Sequence, residues 1–338
     1  MVLALSAGCD DAPPALIDTR DAAADASDAK APGDGASDVS DAPVEPRYEV
    51  LTLDAMRSQF PDATATRGGR GYVALRSLGR VIEVSADGSY RAYAEAPSGS
   101  TVRGVAFDAM GRLLLSVVHP TPAQSGLWRV DAGGGVATLV AHNDGLVNPG
   151  GIAVDSIGTV WVTDSDPGAV WTLPMGATSL TRWSNDASLA GGAVVCGPTN
   201  GVRTGANGIV VDGARGLVYV TNSDLSSLVR IGIAADGSAG AVVVSTRDCP
   251  RLAGAWGLAM GPGGSLLVAA GLVNKITRVA PDGTLTALDT PMGLLRSPAG
   301  LAFDRDLNVA WIANSANADA TRPGGMPVPG VVRLPITP

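Results

Sequence analysis

Short apolar runs recur in groups of three along most of the chain. The first run of each group opens on glycine and is small and apolar on both faces: Gly104-Val-Ala-Phe-Asp108, Gly151-Ile-Ala-Val-Asp155, Gly208-Ile-Val-Val-Asp212, Gly257-Leu-Ala-Met-Gly261 and Gly300-Leu-Ala-Phe-Asp304. A second run follows within a few residues (113–117, 160–163, 217–221, 266–269, 309–313), then a third (127–130, 169–173, 228–233, 276–279, 331–334). The glycine-to-glycine spacings are 47, 57, 49 and 43 residues. A period of roughly 40–50 residues with three or four short strands per unit is the signature of a β-propeller blade. The doubly apolar first run suits the crowded strand beside a central channel. Charged residues enter later, as in Leu228-Val-Arg230-Ile and Thr277-Arg278-Val, where strands near solvent alternate. Asp-x-x-Gly turns, clearest from Asp155 to Gly158, supply a side-chain acceptor and a left-handed position for the hairpin. One unit cannot bury both its faces, so units must stack around a ring.

A weaker sixth unit lies upstream. Runs at 72–75, 80–84 and 90–94, with Ala86-Asp87-Gly88 as a turn, give its outer three strands, and its inner strand falls near 63–67. The last unit stops after 331–336 and lacks an outermost strand. Glu49-Val-Leu-Thr-Leu53 supplies it, closing the ring by pairing the first and last segments. The expected fold is all-β, a six-bladed β-propeller preceded by a disordered acidic linker; five or seven blades are the alternatives.

Composition agrees with this architecture and adds an address. Glycine (44) and proline (23) make up about a fifth of 338 residues, too much turn chemistry for a helical bundle. The formal charge of −8 is confined to residues 10–46, which hold ten acids and two bases and leave the rest neutral. A basic patch for phosphates along a strand of nucleic acid is therefore not expected. Aspartate recurs through 10–46 among Ala, Pro, Ser and Gly, a stretch that cannot bury enough surface to offset its ordering entropy and should act as an extended tether. No run of about 20 apolar residues follows, so the body is not expected to span a membrane.

Immediately before the tether stands Leu5-Ser6-Ala7-Gly8-Cys9, which resembles the lipobox of bacterial lipoproteins. That resemblance implies a lipidated Cys9, an extracytoplasmic location in the bacterial cell envelope and membrane attachment by the lipid anchor alone. The organisation expected is a signal remnant at 1–9, a linker at 10–46 and the propeller at 47–338. Of the other two cysteines, Cys196 and Cys249 both fall in inter-blade connectors of neighbouring blades, the arrangement a disulfide in an oxidising compartment needs; two unpaired thiols are the alternative.

The repeats resemble NHL repeats over residues from about 70 to the end, with Asn148-Pro-Gly-Gly-Ile-Ala-Val-Asp155-Ser-Ile-Gly-Thr-Val-Trp-Val-Thr-Asp164 the closest stretch. They are also similar to the gluconolactonase-like propellers. Such hydrolases hold a divalent metal near the channel through a Glu, an Asn before an inner-strand Gly, and an Asp at the equivalent place on another blade. Asn207 matches the asparagine, Trp256 stands where the aspartate is wanted, and no Glu precedes the first inner strand. No cofactor is therefore expected from these residues, with calcium or another divalent ion as the class that the resemblance admits. His119 and His142 lack ligand-like spacing and read as loop residues.

Polar clusters recur after the second strand, at Thr163-Asp164-Ser165-Asp166, Thr221-Asn222-Ser223-Asp224 and Ala313-Asn314-Ser315-Ala316-Asn317. These loops share a face with the inter-blade connectors. Asn148, Asp164, Asn207, Asn222, Trp256 and Asn314 are thus the candidate ligand-binding residues, an amide- and carboxylate-rich lining with one aromatic; closing hairpins is the alternative role of the Asx residues. The expected function is a non-catalytic binding module for an envelope protein, peptide or carbohydrate. A metal-dependent lactonase-like hydrolase, or a lyase, acting at the channel mouth is the competing expectation.

Overall fold

The Asp-x-x-Gly sequences do what their chemistry requires. Asp155 Oδ1 accepts from the backbone N–H of Ile157 (3.1 Å) and Thr159 (2.9 Å), and Gly158 takes a φ of +85°. Asp108 Oδ1 likewise accepts from Met110 and Arg112 at 2.9 Å, around a Gly111 at φ +76°. Each turn reverses the chain and starts an antiparallel ladder.

In this computed structural model the described residues are 48–192, 194–197, 204–317 and 326–337. The chain divides into two units, 1–45 and 46–338, and every described residue belongs to the second. The signal remnant with Cys9 and the acidic linker lie outside the described residues. Among the described residues, no helix is long and apolar enough to cross a membrane.

Six sheets form the six blades of the propeller, each running outward from the channel. Blade 1 comprises Pro61–Arg67, Arg70–Leu75, Arg80–Val84 and Tyr90–Glu95; blade 2 Thr101–Phe107, Leu113–Val118, Gly126–Val130 and Thr138–Ala141. Blade 3 is Pro149–Val154, Val160–Asp164, Ala169–Leu173 and Thr181–Ser184, and blade 4 Ala206–Asp212, Leu217–Asn222, Ser227–Ile233 and Ala239–Arg247. Blade 5 is Ala255–Met260, Leu266–Ala270, Lys275–Val279 and Leu285–Ala287. Blade 6 takes Pro298–Asp304, Val309–Asn314 and Gly330–Pro335 from the end of the chain and its outermost strand, Glu49–Thr52, from the beginning. The expected closure and blade count are both observed.

The core is divided as the ring demands. One apolar cluster fills each of the six interfaces between neighbouring blades. At the closing interface, fully buried Trp311 of blade 6 lies against Gly71 of blade 1, where an added Cβ would stand 2.6 Å from the indole. A small residue at position 71 is what lets the last blade seat its largest side chain against the first.

Every inner strand carries the same irregularity near its start. Its ladder with the second strand shifts register between Pro61 and Thr64, Val102 and Gly104, Pro149 and Ile152, Ala206 and Ile209, Ala255 and Leu258, and Pro298 and Leu301. Such a β-bulge re-aims side chains and bends the strand. The residue after the re-aimed position must be small: a Cβ on Gly208 would stand 2.3 Å from the Trp256 carbonyl, and one on Gly257 2.3 Å from the Ala299 carbonyl. The repeated glycine of the sequence is therefore a packing requirement between adjacent inner strands.

Candidate functional site

The six bulges place one residue from each blade at equivalent positions around one end of the channel. In chain order they are Asp62, Arg103, Gly150, Asn207, Trp256 and Ala299. Gly150 and Ala299 leave room, and the other four supply a carboxylate, a guanidinium, an amide and an indole.

Hydroxyls on the second strands hold this ring in place. Thr163 Oγ1 donates to the Asn207 carbonyl (2.6 Å), Thr221 Oγ1 to the Trp256 carbonyl (2.7 Å), and Ser116 Oγ to the Gly150 carbonyl. Each bond runs from one blade to the ring residue of the next. The recurrent Ser of the polar clusters makes a second set of ties, from Ser165 to the Ala206 carbonyl (2.8 Å) and from Ser223 to the Ala255 carbonyl (2.7 Å).

The Asx residues of the same clusters are engaged by their own chain. Buried Asp164 accepts from the N–H of Val147 (2.9 Å) and Asn148 (2.8 Å), and burial pushes its carboxyl above the usual range against the pull of those bonds. Asn222 donates to the Ser188 and Ala190 carbonyls at 2.9 Å and accepts from Leu225 N–H. Asn314 donates to the Leu294 carbonyl and accepts from Arg296 N–H. All three occupy the last position of a second strand and clamp the connector that precedes their blade. Their geometry is that of internal caps rather than of side chains presented to a ligand.

Asn148 reaches the ring through Arg103, whose Nη1 donates to its Oδ1 at 2.8 Å. Burial pushes the Arg103 guanidinium below its usual range, with the charge of Asp62 the largest opposing influence. Asn207 is 3% exposed and donates from Nδ2 to Ser223 Oγ (3.2 Å), and its Oδ1 has no partner among the described residues. Trp256 is half-buried.

Arg103 and Asp62 are the ring residues that sequence reasoning missed, and Asp62 is the more telling. It is 2% exposed, and neither carboxylate oxygen has a hydrogen bond among the described residues. Its nearest cation, Arg76 Nε, lies 3.8 Å away. The signal was there in Pro61-Asp62-Ala63, which follows the small–Asx–small pattern of Ala206-Asn207-Gly208. Alanine in place of the marker glycine concealed it.

The histidines lie in the loops expected of them. His119 Nδ1 accepts from Thr121 N–H and its Nε2 faces the Ser98 carbonyl, both at 3.0 Å. His142 faces Asp144 (2.9 Å) and the Ser125 carbonyl (2.7 Å), and these bonds, that to Asp144 foremost, raise its pKa. Neither ring has a nitrogen left for a substrate. Cys196 and Cys249 form a disulfide, as expected.

Comparison with known proteins identifies the fold and little more. No protein-family model matches the sequence, and no curated protein matches it. Among solved structures, the chain is similar to a gluconolactonase from Xanthomonas campestris (TM-score 0.60, 18% identity, 85% of this chain and 88% of that one). It is also similar to a calcium-binding regucalcin from Agrobacterium tumefaciens (TM-score 0.61, 15% identity, 82% and 90%). A virginiamycin B lyase from Staphylococcus aureus follows (TM-score 0.54, 14% identity, 83% and 96%). At these identities the likeness is one of architecture.

Proposed function

We propose that the channel mouth is the binding site of a non-catalytic receptor whose ligand is a carbohydrate. The observation that carries this reading is the Asp62 carboxylate. Arg76 supplies charge at 3.8 Å but no hydrogen bond; a buried acceptor without a hydrogen-bond partner costs roughly 1–3 kcal/mol, and such a group in a folded protein calls for an explanation. Hydroxyl donors of a ligand provide one. Planar polar groups on Arg103 and Asn207 match adjacent hydroxyls, and the half-buried Trp256 offers a flat face to the apolar side of a sugar ring.

Hydrolase and lyase chemistry has its support in the fold likeness, which includes a gluconolactonase and a virginiamycin B lyase. The ring does not fit a divalent ion. Asp62 and Asn207 offer oxygen ligands, but Trp256 fills the third position, Arg76 and Arg103 bring positive charge beside the carboxylate, and no cluster of three His, Cys, Asp or Glu side chains exists among the described residues.

Thermal unfolding of the full chain against a panel of neutral oligosaccharides separates these readings. A binding sugar is expected to raise the transition, and Trp256→Ala and Asp62→Asn to weaken binding by about tenfold or more. Asp62→Asn loses no hydrogen bond but removes the charge beside Arg76 and Arg103, so the unliganded variant should unfold at a somewhat lower temperature. Calcium in excess over EDTA should change nothing; a ligand at a hundredfold excess over Kd adds about 2.7 kcal/mol, so a bound ion is easily seen. A calcium-dependent rise abolished by Asn207→Ala, with no response to any sugar, overturns the receptor reading in favour of the hydrolase.

We further propose that this receptor works tethered at the bacterial cell envelope through lipidated Cys9 and the acidic linker. The Cys196–Cys249 disulfide supports an oxidising compartment. Palmitate labelling of the expressed chain, absent from Cys9→Ser, is the expected result; equal labelling of both, or of neither, removes the anchor.

A further inference from the structure

The opposite end of the ring carries a cavity of about 520 Å³, built on blade 1. Asp62 lies next to the start of an inner strand and Arg67 ends it, so this cavity and the proposed sugar site lie at opposite faces. Arg67, Arg70 and Arg91 line it together with Glu83, Tyr72 and Tyr93. Part of its rim comes from blade 2: the turn after Gly126–Val130 reaches across, and Gly135–Val136 pairs in parallel with Tyr90–Glu95 as a fifth strand. Tyr93 fastens that turn by donating its hydroxyl to the Ala132 carbonyl (3.1 Å).

The charge in this cavity is unbalanced and well ordered. Glu83 is 4% exposed and bridges two guanidiniums, with Arg70 Nη1 at 2.5 Å from one oxygen and Arg91 Nη2 at 2.5 Å from the other. Arg67 is held separately, by Nη1 donating to the Gly111 carbonyl (2.7 Å) and by its position over the Phe107 ring. Three guanidiniums thus line the cavity with one internal carboxylate, which pairs with two of them; Asp87 in the adjoining turn is fully exposed and capped by Ser89, and Asp131 adjoins the rim residue Ala132. Each guanidinium has about five N–H donors, most of them unused here. Tyr72 and Tyr93 pack edge to face at 4.8 Å and form an aromatic wall. Burial, then Glu83, raises the Tyr72 phenol above its usual range, so its hydroxyl is a neutral donor, and it has no partner among the described residues.

We propose that this cavity binds a phosphomonoester carried on a planar body. Three lining guanidiniums against one lining carboxylate match a group that carries close to two negative charges at neutral pH, and guanidiniums pair with phosphate oxygens in bidentate fashion. The tyrosine wall takes the planar part. Glu83 has the role of a positioning residue that fixes two of the three arginines.

Phenyl phosphate titrated into the full chain by calorimetry tests the assignment. Saturable binding is expected, weakened about tenfold or more by Arg91→Gln and by Arg67→Gln, each of which removes a charge-assisted contact. Arg67 does not touch Glu83, so its variant leaves the internal pairs intact. Inorganic phosphate and phenyl sulfate should bind more weakly than phenyl phosphate, the first for lack of the planar body and the second for lack of the second charge. Phosphatidylcholine vesicles with and without phosphatidic acid distinguish a lipid headgroup from a free ligand: selective vesicle binding lost in Arg91→Gln, without binding of phenyl phosphate, keeps the phosphomonoester but overturns the planar body. Absence of saturable binding in both formats, or equal binding by wild type and both variants, overturns the proposal. Trp256→Ala leaves this binding unchanged, so failure here is separable from failure of the sugar site.

Discussion

A chain beginning at Asp54 is expected to be several kcal/mol less stable than one beginning at Pro46, and to associate through the edge that the deletion exposes. Residues Glu49–Thr52 are the outermost strand of blade 6, paired with Gly330–Pro335 at the opposite end of the sequence. Val50 is 2% exposed and Leu53 6%, both in the apolar cluster between blades 6 and 1. Full burial of each such side chain contributes about 1.5–3 kcal/mol, so the pair alone accounts for roughly 3–6 kcal/mol before any ladder bonds are considered. A folded domain of ordinary stability has only about 5–15 kcal/mol in total. Deletion also leaves Gly330–Pro335, with Val331 and Val332 fully buried in the intact ring, as an apolar edge open to pairing with another chain. Urea midpoints of the two chains measure the loss, and sedimentation measures the association. Equal midpoints would falsify the idea that this strand locks the ring.

That closing strand was legible in the sequence because a propeller unit one strand short at its C-terminus needs a donor, and a strand-like segment stood unclaimed at residue 49. The inner strands were legible for a different reason. Adjacent inner strands approach so closely that the position after each re-aimed residue admits almost no Cβ, which writes a glycine into five blades at similar spacing. Blade 1 meets the same constraint with Ala63, and there the repeat became hard to follow.

The polar residues could not be sorted by sequence alone, since a buried cap and a ligand-facing side chain use the same amino acids. Asp164, Asn222 and Asn314 share one structural position and one task, whereas Asn207 sits a strand away in the ring around the channel. What separates them is the bulge, whose marker glycine locates the ring position but does not say whether its side chain is free for a ligand. The arginine-lined cavity was hidden more thoroughly. Its wall depends on a parallel pairing between residues 94–95 and 135–136, some 40 residues apart, and its three arginines lie on three different strands of blade 1.

Reduction of the Cys196–Cys249 disulfide is expected to cost about 4 kcal/mol, the loop-closure entropy returned to the unfolded chain when a link spanning 53 residues is cut. The link encloses the whole of blade 4, from Ala206 to Arg247. Its two ends are seated differently. Cys249 opens a short helical turn capped by Asp248, whose Oδ1 accepts from Arg251 N–H at 2.8 Å. Cys196 lies on the connector into blade 4, which Asn222 and Asp224 already grip: Asn222 at the Ser188 and Ala190 carbonyls, Asp224 at the N–H groups of Gly192 and Thr204. Those bonds hold the native connector without the disulfide, so a Cys196→Ser, Cys249→Ser chain should still fold, with its urea midpoint lowered in proportion and its thermal transition down by about 10 °C. The connector runs directly into Ala206 and Asn207, so the same variant should bind the channel-mouth ligand less tightly through Asn207 while leaving the arginine cavity of blade 1 unaffected. An unchanged midpoint in reducing buffer would mean that the Asx clamps alone fix the connector, and that the disulfide contributes nothing to the stability of the ring.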